Sequence, residues 1–266
     1  MTFLKTFGKG TGKTEMSIDN SIKLGLCSIS FRSLEPLQII KLCKDAGLDC
    51  IEWGSDVHAK PDDKEGLENI VKLSKQYGIN CSSYGTYFRI GTDNTEDIHE
   101  YISAAKMLGT DILRLWCGNK GSADYSEKEL EDVYKQCKEL SKIAEKENVY
   151  LCLECHIKTL TDNKESAKAL VEYVGSKHFG MYFQPNQFEN DDTNIAYCKW
   201  AEPYTKCVHV FNWEQKEKYP LADAKEIWQT YFEIMGDKTY LLEFMPDGEP
   251  SSLSREAKSL FEIAGR

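Results

Sequence analysis

The chain has 266 residues, of which 41% are hydrophobic and 29% are charged, as is ordinary for a globular protein with one sizeable core. Its 43 Asp and Glu outnumber its 33 Lys and Arg, and the net charge of −10 argues against broad contact with a nucleic acid backbone. No apolar run approaches the ~18 residues that a membrane span needs, and the start of the chain lacks the apolar core of a signal peptide. We therefore expect a cytoplasmic protein with neither a nucleic acid partner nor a membrane partner.

The ten cysteines do not indicate a disulfide framework, because the chain is large and carries no secretory signal. Most of them have apolar neighbours, among which a free cysteine behaves as a small buried hydrophobe. Cys152 and Cys155 form a CxxC pair, but the pair lies inside a strand-like run, where residues three apart point to opposite faces. This geometry disfavours a metal or redox role for the pair.

Residues 1–22 are predicted to form a flexible leader that precedes the folded domain. Their string FGKGTGKT has three residues between Gly8 and Gly12, whereas a phosphate-binding loop needs ~4 residues there and a preceding strand. The leader is therefore not interpreted as a nucleotide site.

From Lys23 onward, short apolar runs alternate with longer segments of helical period. A strand-to-helix alternation predicts a parallel sheet covered by helices, and eight such units match a closed (β/α)8 barrel of typically ~250 residues. An open sheet would need a glycine-rich turn after the first strand, and SFRSLEP has no glycine. We predict an α/β fold, a TIM barrel that forms a single domain over residues 23–266. Its predicted strands are residues 23–30, 49–53, 79–84, 111–116, 149–155, 179–184, 206–211 and 239–244.

Polar residues at the ends of the apolar runs mark the expected active site, because barrel enzymes build it at the C-terminal ends of the strands. Alternate residues of a strand share a face, so Glu154 points the same way as Cys152. If these faces point inward, four side chains converge: Glu154, Gln184, His209 and Glu243. Two carboxylates, an imidazole and an amide oxygen suit Mn²⁺, Mg²⁺ or Zn²⁺.

Four further residues are candidates for substrate binding: His156, Trp116, Arg114 and His58. Trp116 precedes the loop CGNKGS and suits a wall against which a sugar stacks, although a core position is the alternative. For Arg114, pairing with a strand-end carboxylate is favoured over contact with the substrate. Gln184 is either a metal ligand or a hydrogen-bond partner of a neighbouring loop.

The chain resembles the xylose isomerase-like barrels, which include sugar isomerases and epimerases, inosose dehydratases and endonuclease IV. The resemblance covers roughly residues 23–265 and is closest to the sugar phosphate isomerase/epimerase group. It is carried by the strings LRLWCGNKGS, LECHIKTLTDN, MYFQPNQ, HVFNW and LLEF.

The resemblance implies a ligand set, because epimerases of this superfamily hold a divalent metal with Glu, Asp, His and Glu from strands five to eight. By position these fall on Glu154, Gln184, His209 and Glu243, so that Gln184 departs from the aspartate of the family. Gln187 is a second departure, at a position where these epimerases often have histidine. A neutral ligand at Gln184 should weaken metal binding yet leave the ion a stronger Lewis acid.

The resemblance further implies a metal-dependent isomerase or epimerase of a small sugar or sugar-like polyol. Glu154 and Glu243 would move a proton through an enediolate, with Mn²⁺ as the expected ion and Mg²⁺ or Zn²⁺ as alternatives. A lyase that expels a β-substituent from a keto-sugar or inosose remains an alternative on the same residues. Gln184 and Gln187 also leave open a metal-free sugar-binding relative.

Three further expectations concern partners. DNA repair is disfavoured, because five histidines are too few for a three-zinc nuclease site and the chain is acidic. The loops after the last two strands carry acidic residues that favour an unphosphorylated carbohydrate substrate. The aromatic content leaves room for a homo-oligomer interface.

Overall fold

A computed structural model describes residues 22–266, and in these residues eight parallel strands close into one barrel. The order around the ring is β1-β10-β7-β6-β5-β4-β3-β2, and a separate antiparallel pair, β8-β9, lies outside it. The predicted single-domain barrel is thus confirmed, whereas the leader predicted over residues 1–22 lies outside the described residues except for its last position. The strands are β1 (Lys23–Cys27), β2 (Cys50–Gly54), β3 (Asn80–Ile90), β4 (Ile112–Cys117), β5 (Tyr150–Glu154), β6 (Phe179–Phe183), β7 (Thr205–Val210), β8 (Trp213–Glu214), β9 (Glu217–Lys218) and β10 (Thr239–Leu242).

The helices that cover the barrel begin and end at local sequence signals. Ser126 and Glu129 form a capping box at the start of α4, in which each side chain accepts the other's backbone N–H. Gly78 ends α2 and Gly109 ends α3 in the left-handed region, with φ of 68° and 83°, where glycine has no steric cost. The helices are α1 (Pro36–Asp45), α2 (Lys64–Tyr77), α3 (Ile98–Leu108), α4 (Glu127–Glu147), α5 (Lys164–Val174), α6 (Asp191–Ala201), α7 (Lys225–Met235) and α8 (Leu253–Ala264). None of the helices within residues 22–266 combines the length and the apolar character needed to cross a membrane.

The alternation of side chains along each strand divides the core into two layers. Outward residues such as Leu151 and Leu153 pack in the large cluster shared with the helices. Inward residues form a small separate cluster that fills the barrel: Cys50, Cys152, Tyr182, Cys207 and Leu241. Cys152 and Cys155 belong to different clusters, as expected for residues three apart in an extended run.

β1 ends at Cys27, three residues before its predicted end, and a 3-10 helix (Ser28–Phe31) follows it. Two further features near the barrel mouth differ from the predicted elements. β3 continues to Ile90, six residues beyond the predicted end at Tyr84, and its register against β4 shifts between Gly85 and Arg89. The segment after β7, predicted as a loop, contains the hairpin in which Trp213 pairs with Lys218. Both features lie at the C-terminal ends of strands, so they shape the walls around the candidate site.

Candidate active site

Four side chains from neighbouring strands meet at the C-terminal mouth of the barrel. Glu154 ends β5, Gln184 follows β6, His209 lies in β7 and Glu243 follows β10, and all four are buried. The Nδ1 atom of His209 lies 3.0 Å from Gln184 Oε1, 3.5 Å from Glu243 Oε2 and 3.7 Å from Glu154 Oε1. The structure therefore brings together the four residues that the strand ends indicated.

The position of this layer follows from the period of two along each strand. Each of the four side chains lies two residues beyond a member of the inward apolar cluster, and its Cα–Cβ bond therefore points into the same barrel interior. The backbone N–H of Glu243 donates to the Val210 carbonyl at 3.0 Å, which continues the strand ladder to this residue. Pro185 ends β6 directly after Gln184, because it has no N–H to donate and holds the preceding residue extended.

Glu52, at the end of β2, is a fifth member of the cluster to which the sequence assigned no role. It is fully buried, and its Oε2 lies 3.3 Å from His209 Nε2 and accepts the hydroxyl of Tyr182. Its Oε1 accepts Arg114 Nε at 3.1 Å. The available signal was the position of Glu52 two residues after Cys50, the same spacing that identified Glu154 after Cys152.

Arg114 lies between two carboxylates rather than at an open surface. Its Nη1 donates to Glu154 Oε2 at 2.5 Å, and its Nε donates to Glu52. A Cβ on Gly85 would lie 2.5 Å from Glu52 Oε1 and 2.9 Å from Arg114 Nη2, so only glycine leaves room for this ion pair. The expectation that Arg114 pairs with strand-end carboxylates agrees with these contacts.

Trp116 supports the same carboxylate while lining the cavity above it. Its indole Nε1 donates to Glu154 Oε2 at 2.5 Å. Its ring packs edge-on against Tyr87, with ring centroids 5.3 Å apart, and lies 5.4 Å from the ring of His156. Glu154 Oε2 thus accepts two hydrogen bonds from the protein, which leaves Oε1 as the oxygen that faces His209.

Burial and neighbouring charges set opposite pKa shifts for the three carboxyl groups. Burial would raise the pKa of Glu154, but Arg114 and then His209 outweigh it and hold that pKa at about 2. The same balance lowers the pKa of Glu52 well below its ordinary value, mainly through Arg114. Burial raises the pKa of Glu243 to about 7; Glu154 adds to the rise, and His209 opposes it. Glu243 is therefore the carboxyl group of the site that titrates near neutrality.

His209 faces acceptors on both sides of its ring. Burial would lower the pKa of the imidazole, but the charges of Glu243 and Glu52 raise it well above its ordinary value. With His209 neutral, three carboxylates and the single guanidinium of Arg114 leave two negative charges in the buried cluster. That excess must be balanced by protons or by a bound cation, because uncompensated buried charge is costly.

A cavity of about 190 Å³ opens above these residues. Aromatic rings form most of its apolar wall: Tyr87, Trp116, Phe211, Trp213 and Phe244. His156, Gln187 and Arg32 also line it, and Arg32 is paired with Asp56 and donates to the Tyr87 hydroxyl at 3.0 Å. Phe244 has φ of 56°, a costly conformation for a bulky residue, and Ser30 Oγ accepts its backbone N–H at 2.8 Å.

His58, which the sequence places among the candidates for substrate binding, does not line this cavity. Its Nδ1 lies 3.1 Å from Ser28 Oγ, and its ring meets Trp53 edge-on with centroids 6.1 Å apart. Trp53 is an outward-facing residue of β2, so His58 lies behind the barrel wall. The other three candidates for substrate binding, His156, Trp116 and Arg114, all line the cavity.

The donor set fits a divalent cation. Glu154, His209 and Glu243 each offer one ligand atom, and these atoms all lie within 4.8 Å of one another. Gln184 adds a neutral oxygen on the same side of His209, as hard divalent ions prefer oxygen and imidazole donors. With Glu243 ionised and His209 neutral, the two excess negative charges of the cluster match the charge of such an ion.

We expect the stability of the metal-free protein to fall as the pH rises from about 5 to 6.5. The folded protein holds the Glu243 proton until its pKa of about 7, whereas the unfolded chain releases it near the ordinary 4.5. The folded state thus binds more protons over this interval, so its free energy of unfolding declines with pH. Glu52 and Glu154 do not add to this decline, because their lowered pKa values leave them ionised in both states.

Urea denaturation in a chelator at pH 5 and pH 6.5 measures this decline, and Glu243→Gln should flatten it relative to the unmodified protein. Equal pH dependence in both proteins would show that Glu243 titrates normally.

Comparison with known proteins places the chain in a family. Residues 40–258 match the family model of the xylose isomerase-like TIM barrel. No curated protein matches the sequence. Among solved structures, the probable 3-DHS dehydratase AsbF from Bacillus anthracis has a TM-score of 0.77 at 20% identity, over 90% of this chain and 98% of its own.

Two further structures show the same fold at lower identity. The IolI protein with a bound zinc atom has a TM-score of 0.70 at 17% identity, over 91% of this chain and 98% of its own. The D-psicose 3-epimerase from Clostridium cellulolyticum H10, solved with D-tagatose, has a TM-score of 0.67 at 12% identity, with the same two coverages. The barrel and the extent of the family match lead to one conclusion: the chain belongs to the xylose isomerase-like TIM barrel family.

Proposed function

We propose that the protein is a metal-dependent isomerase or epimerase of a small, uncharged sugar or sugar-like polyol. The observation that carries the proposal is the convergence of Glu154, Gln184, Glu243 and His209 below an aromatic cavity. The similar D-psicose 3-epimerase acts on a sugar and was solved with one, which agrees with this assignment.

In this proposal Glu154, Gln184, His209 and Glu243 hold the ion, with Mn²⁺ expected and Mg²⁺ or Zn²⁺ as alternatives. When bound, such an ion supplies Lewis acidity that polarises a carbonyl and its adjacent hydroxyl. This would acidify the C–H proton on the carbon next to the carbonyl. The zinc atom in the similar IolI structure supports a metal site in this fold.

The two glutamates divide the proton transfer because they approach the substrate from different sides. Their strands, β5 and β10, are three places apart in the eight-strand ring. Glu154 is held ionised by Arg114 and Trp116 and can accept the substrate proton. Glu243, across the ring from Glu154, can exchange a proton with the other face. The reverse reaction exchanges these roles.

The cavity favours an uncharged substrate. Both arginines that line it among the described residues are already paired, Arg32 with Asp56 and Arg114 with Glu52 and Glu154. A phosphate group would therefore meet no unpaired guanidinium, and it would lie near a cluster with excess negative charge. The rings of Trp116 and Trp213 offer apolar faces for the C–H surface of a sugar.

The test incubates candidate ketoses in D₂O with the Mn²⁺-loaded protein. The Mn²⁺ is then removed, and the products are examined by NMR. Deuterium at the carbon next to the carbonyl, with no oxygen lost, is the expected result for an isomerase or epimerase. Absence of exchange across ketopentoses, ketohexoses and inososes would contradict the proposal.

A lyase is the second candidate, because Glu243 places a second carboxyl group across the site from Glu154. A protonated Glu243 could donate to a departing hydroxyl after Glu154 has taken the proton next to the carbonyl. The similar AsbF structure is described as a dehydratase, which agrees with this chemistry in the same fold. In the NMR experiment, loss of a hydroxyl group with formation of an unsaturated product would identify the lyase.

Gln184→Asp is expected to tighten binding of Mn²⁺ by about tenfold or more, because an added negative charge near a divalent ion is poorly screened in a buried site. Gln184→Leu should weaken binding while the barrel stays folded, since Gln184 is only a neutral ligand. Calorimetric titration of the three proteins measures the affinities.

Gln187→Asp is the matched control, since it adds the same charge three residues away and lines the same cavity. If the two aspartate variants tighten binding equally, the effect is general attraction and Gln184 is not a ligand. Unchanged affinity in Gln184→Leu would point to the same conclusion.

A further inference from the structure

We infer that Glu52 positions His209, by holding the Nε2 side of its ring so that Nδ1 faces the three ligand oxygens. Glu52 would thereby set the affinity of the site for a divalent ion without contacting the ion. This inference rests on the metal site of the proposed function and adds a residue outside its ligand set.

The two ring nitrogens of His209 have different surroundings. Nδ1 faces Gln184, Glu243 and Glu154, whereas Nε2 faces Glu52, with Oε2 at 3.3 Å, and has the Cys27 thiol nearby. A neutral imidazole carries one proton. If that proton is on Nε2 and is donated to Glu52, the lone pair of Nδ1 is directed at the oxygen cluster. A carboxylate that accepts the second N–H of a metal-bound histidine fixes both the tautomer and the ring orientation.

Glu52 is itself held rigidly enough for this role. Its two oxygens are contacted by Arg114 Nε at 3.1 Å, by Ser83 Oγ at 3.3 Å, by Cys27 Sγ at 3.2 Å and by the Tyr182 hydroxyl. Glu52 and these four partners are all buried, so water does not compete for the carboxylate. The Tyr182 ring also packs 4.7 Å from the His209 ring, which restricts rotation of the imidazole.

A second metal site on the Nε2 side would be another use for Glu52, because Cys27, Glu52 and His209 offer atoms within 4.8 Å of one another. Arg114 excludes it, since its guanidinium Nε lies 3.1 Å from the same Glu52 oxygen that Cys27 contacts. A cation there would lie beside a fixed positive charge. Burial also raises the pKa of the Cys27 thiol, which keeps it protonated and a poor ligand. Glu52 therefore orients the ring of His209 and does not bind an ion itself.

The test measures Zn²⁺ affinity by competition with a chelator for the unmodified protein, Glu52→Gln and the control Ser83→Ala. Zn²⁺ affinity should fall about 10- to 100-fold in Glu52→Gln, as for other supporting carboxylates. Ser83→Ala removes one contact to Glu52 and one to the Tyr182 hydroxyl but leaves the Glu52 carboxylate and the Tyr182 ring beside His209, so its affinity should stay within about threefold. Equal affinity in all three proteins would overturn the inference while leaving the metal site intact.

A spectroscopic measurement makes the test independent of whether Glu52→Gln folds. In the Zn²⁺-loaded unmodified protein, ¹⁵N NMR of the His209 ring should show a protonated Nε2 and a metal-bound Nδ1, both assigned through a His209→Gln reference. A proton on Nδ1 in that spectrum would overturn the inference even if Glu52→Gln did not fold. If the unmodified protein bound no Zn²⁺ at all, the metal site of the proposed function would itself be wrong, and the role of Glu52 with it.

Discussion

Glu154→Gln and Glu243→Gln should each lower turnover by about 10²- to 10⁴-fold, the range typical of a lost general acid or base. Each variant keeps the size of the side chain but removes the group that accepts or supplies the proton. The measurement is the steady-state rate of deuterium exchange or product formation, with circular dichroism to confirm that the barrel is folded. Turnover at the unmodified rate in Glu154→Gln would contradict the mechanism.

Glu256→Gln is the matched control for these two variants. Glu256 is also a buried carboxylate, but it lies at α8, where its Oε2 accepts the backbone N–H of Leu221 at 2.8 Å. Its replacement should leave turnover close to normal. A comparable loss there would show that the barrel responds to any lost buried carboxylate rather than to lost chemistry.

Arg114→Met is expected to lower the free energy of unfolding by about 3–5 kcal/mol, the cost of leaving a buried ion pair broken. Arg114 is almost fully buried, and its removal leaves Glu52 and Glu154 without their shared counter-charge. Urea denaturation of the metal-free protein measures the loss. Methionine retains much of the apolar stem, so most of the effect reports the guanidinium.

Arg32→Met provides the control for the arginine variant. Arg32 also forms an ion pair, with Asp56, but its side chain is 46% exposed, and pairs of this kind contribute about 0–1 kcal/mol. Similar losses in the two variants would contradict the buried role of Arg114. Adding Glu52→Gln to Arg114→Met should recover part of the stability, because it removes one of the two stranded charges.

The local features of the fold were predictable because they depend on short-range periodicity. Apolar runs of a strand's length alternate with helical stripes, and glycines such as Gly78 and Gly109 end helices, so the strand–helix count follows from residues near in sequence. The extension of β3 beyond Tyr84 was missed because its outer residues, Tyr87 and Arg89, are stabilised by neighbours from other segments. The hairpin after β7 is too short for any period to appear.

The candidate site likewise contains residues that the sequence predicted and one that it did not. Period two along each strand, together with the rule that barrels bind at their C-terminal ends, was enough to predict that Glu154, Gln184, His209 and Glu243 converge. The same period applied to Glu52, yet nothing local indicated that it would meet His209.

The sequence by itself therefore determined the eightfold alternation, the inward faces and the four strand-end residues, because a repeat of two or 3.6 residues is a property of neighbouring positions. Only the tertiary structure decided which charges pair inside the ring. Glu52 and His209 are 157 positions apart in the sequence. From the sequence alone, Arg114 could pair with Glu52, with Glu154 or with a substrate, and only the closed barrel shows that it pairs with both glutamates. His58, close to Glu52 in sequence, lies behind the wall instead, because side-chain direction changes once the strand ends. Contacts of this kind depend on the closure of all eight strands, which no local segment encodes.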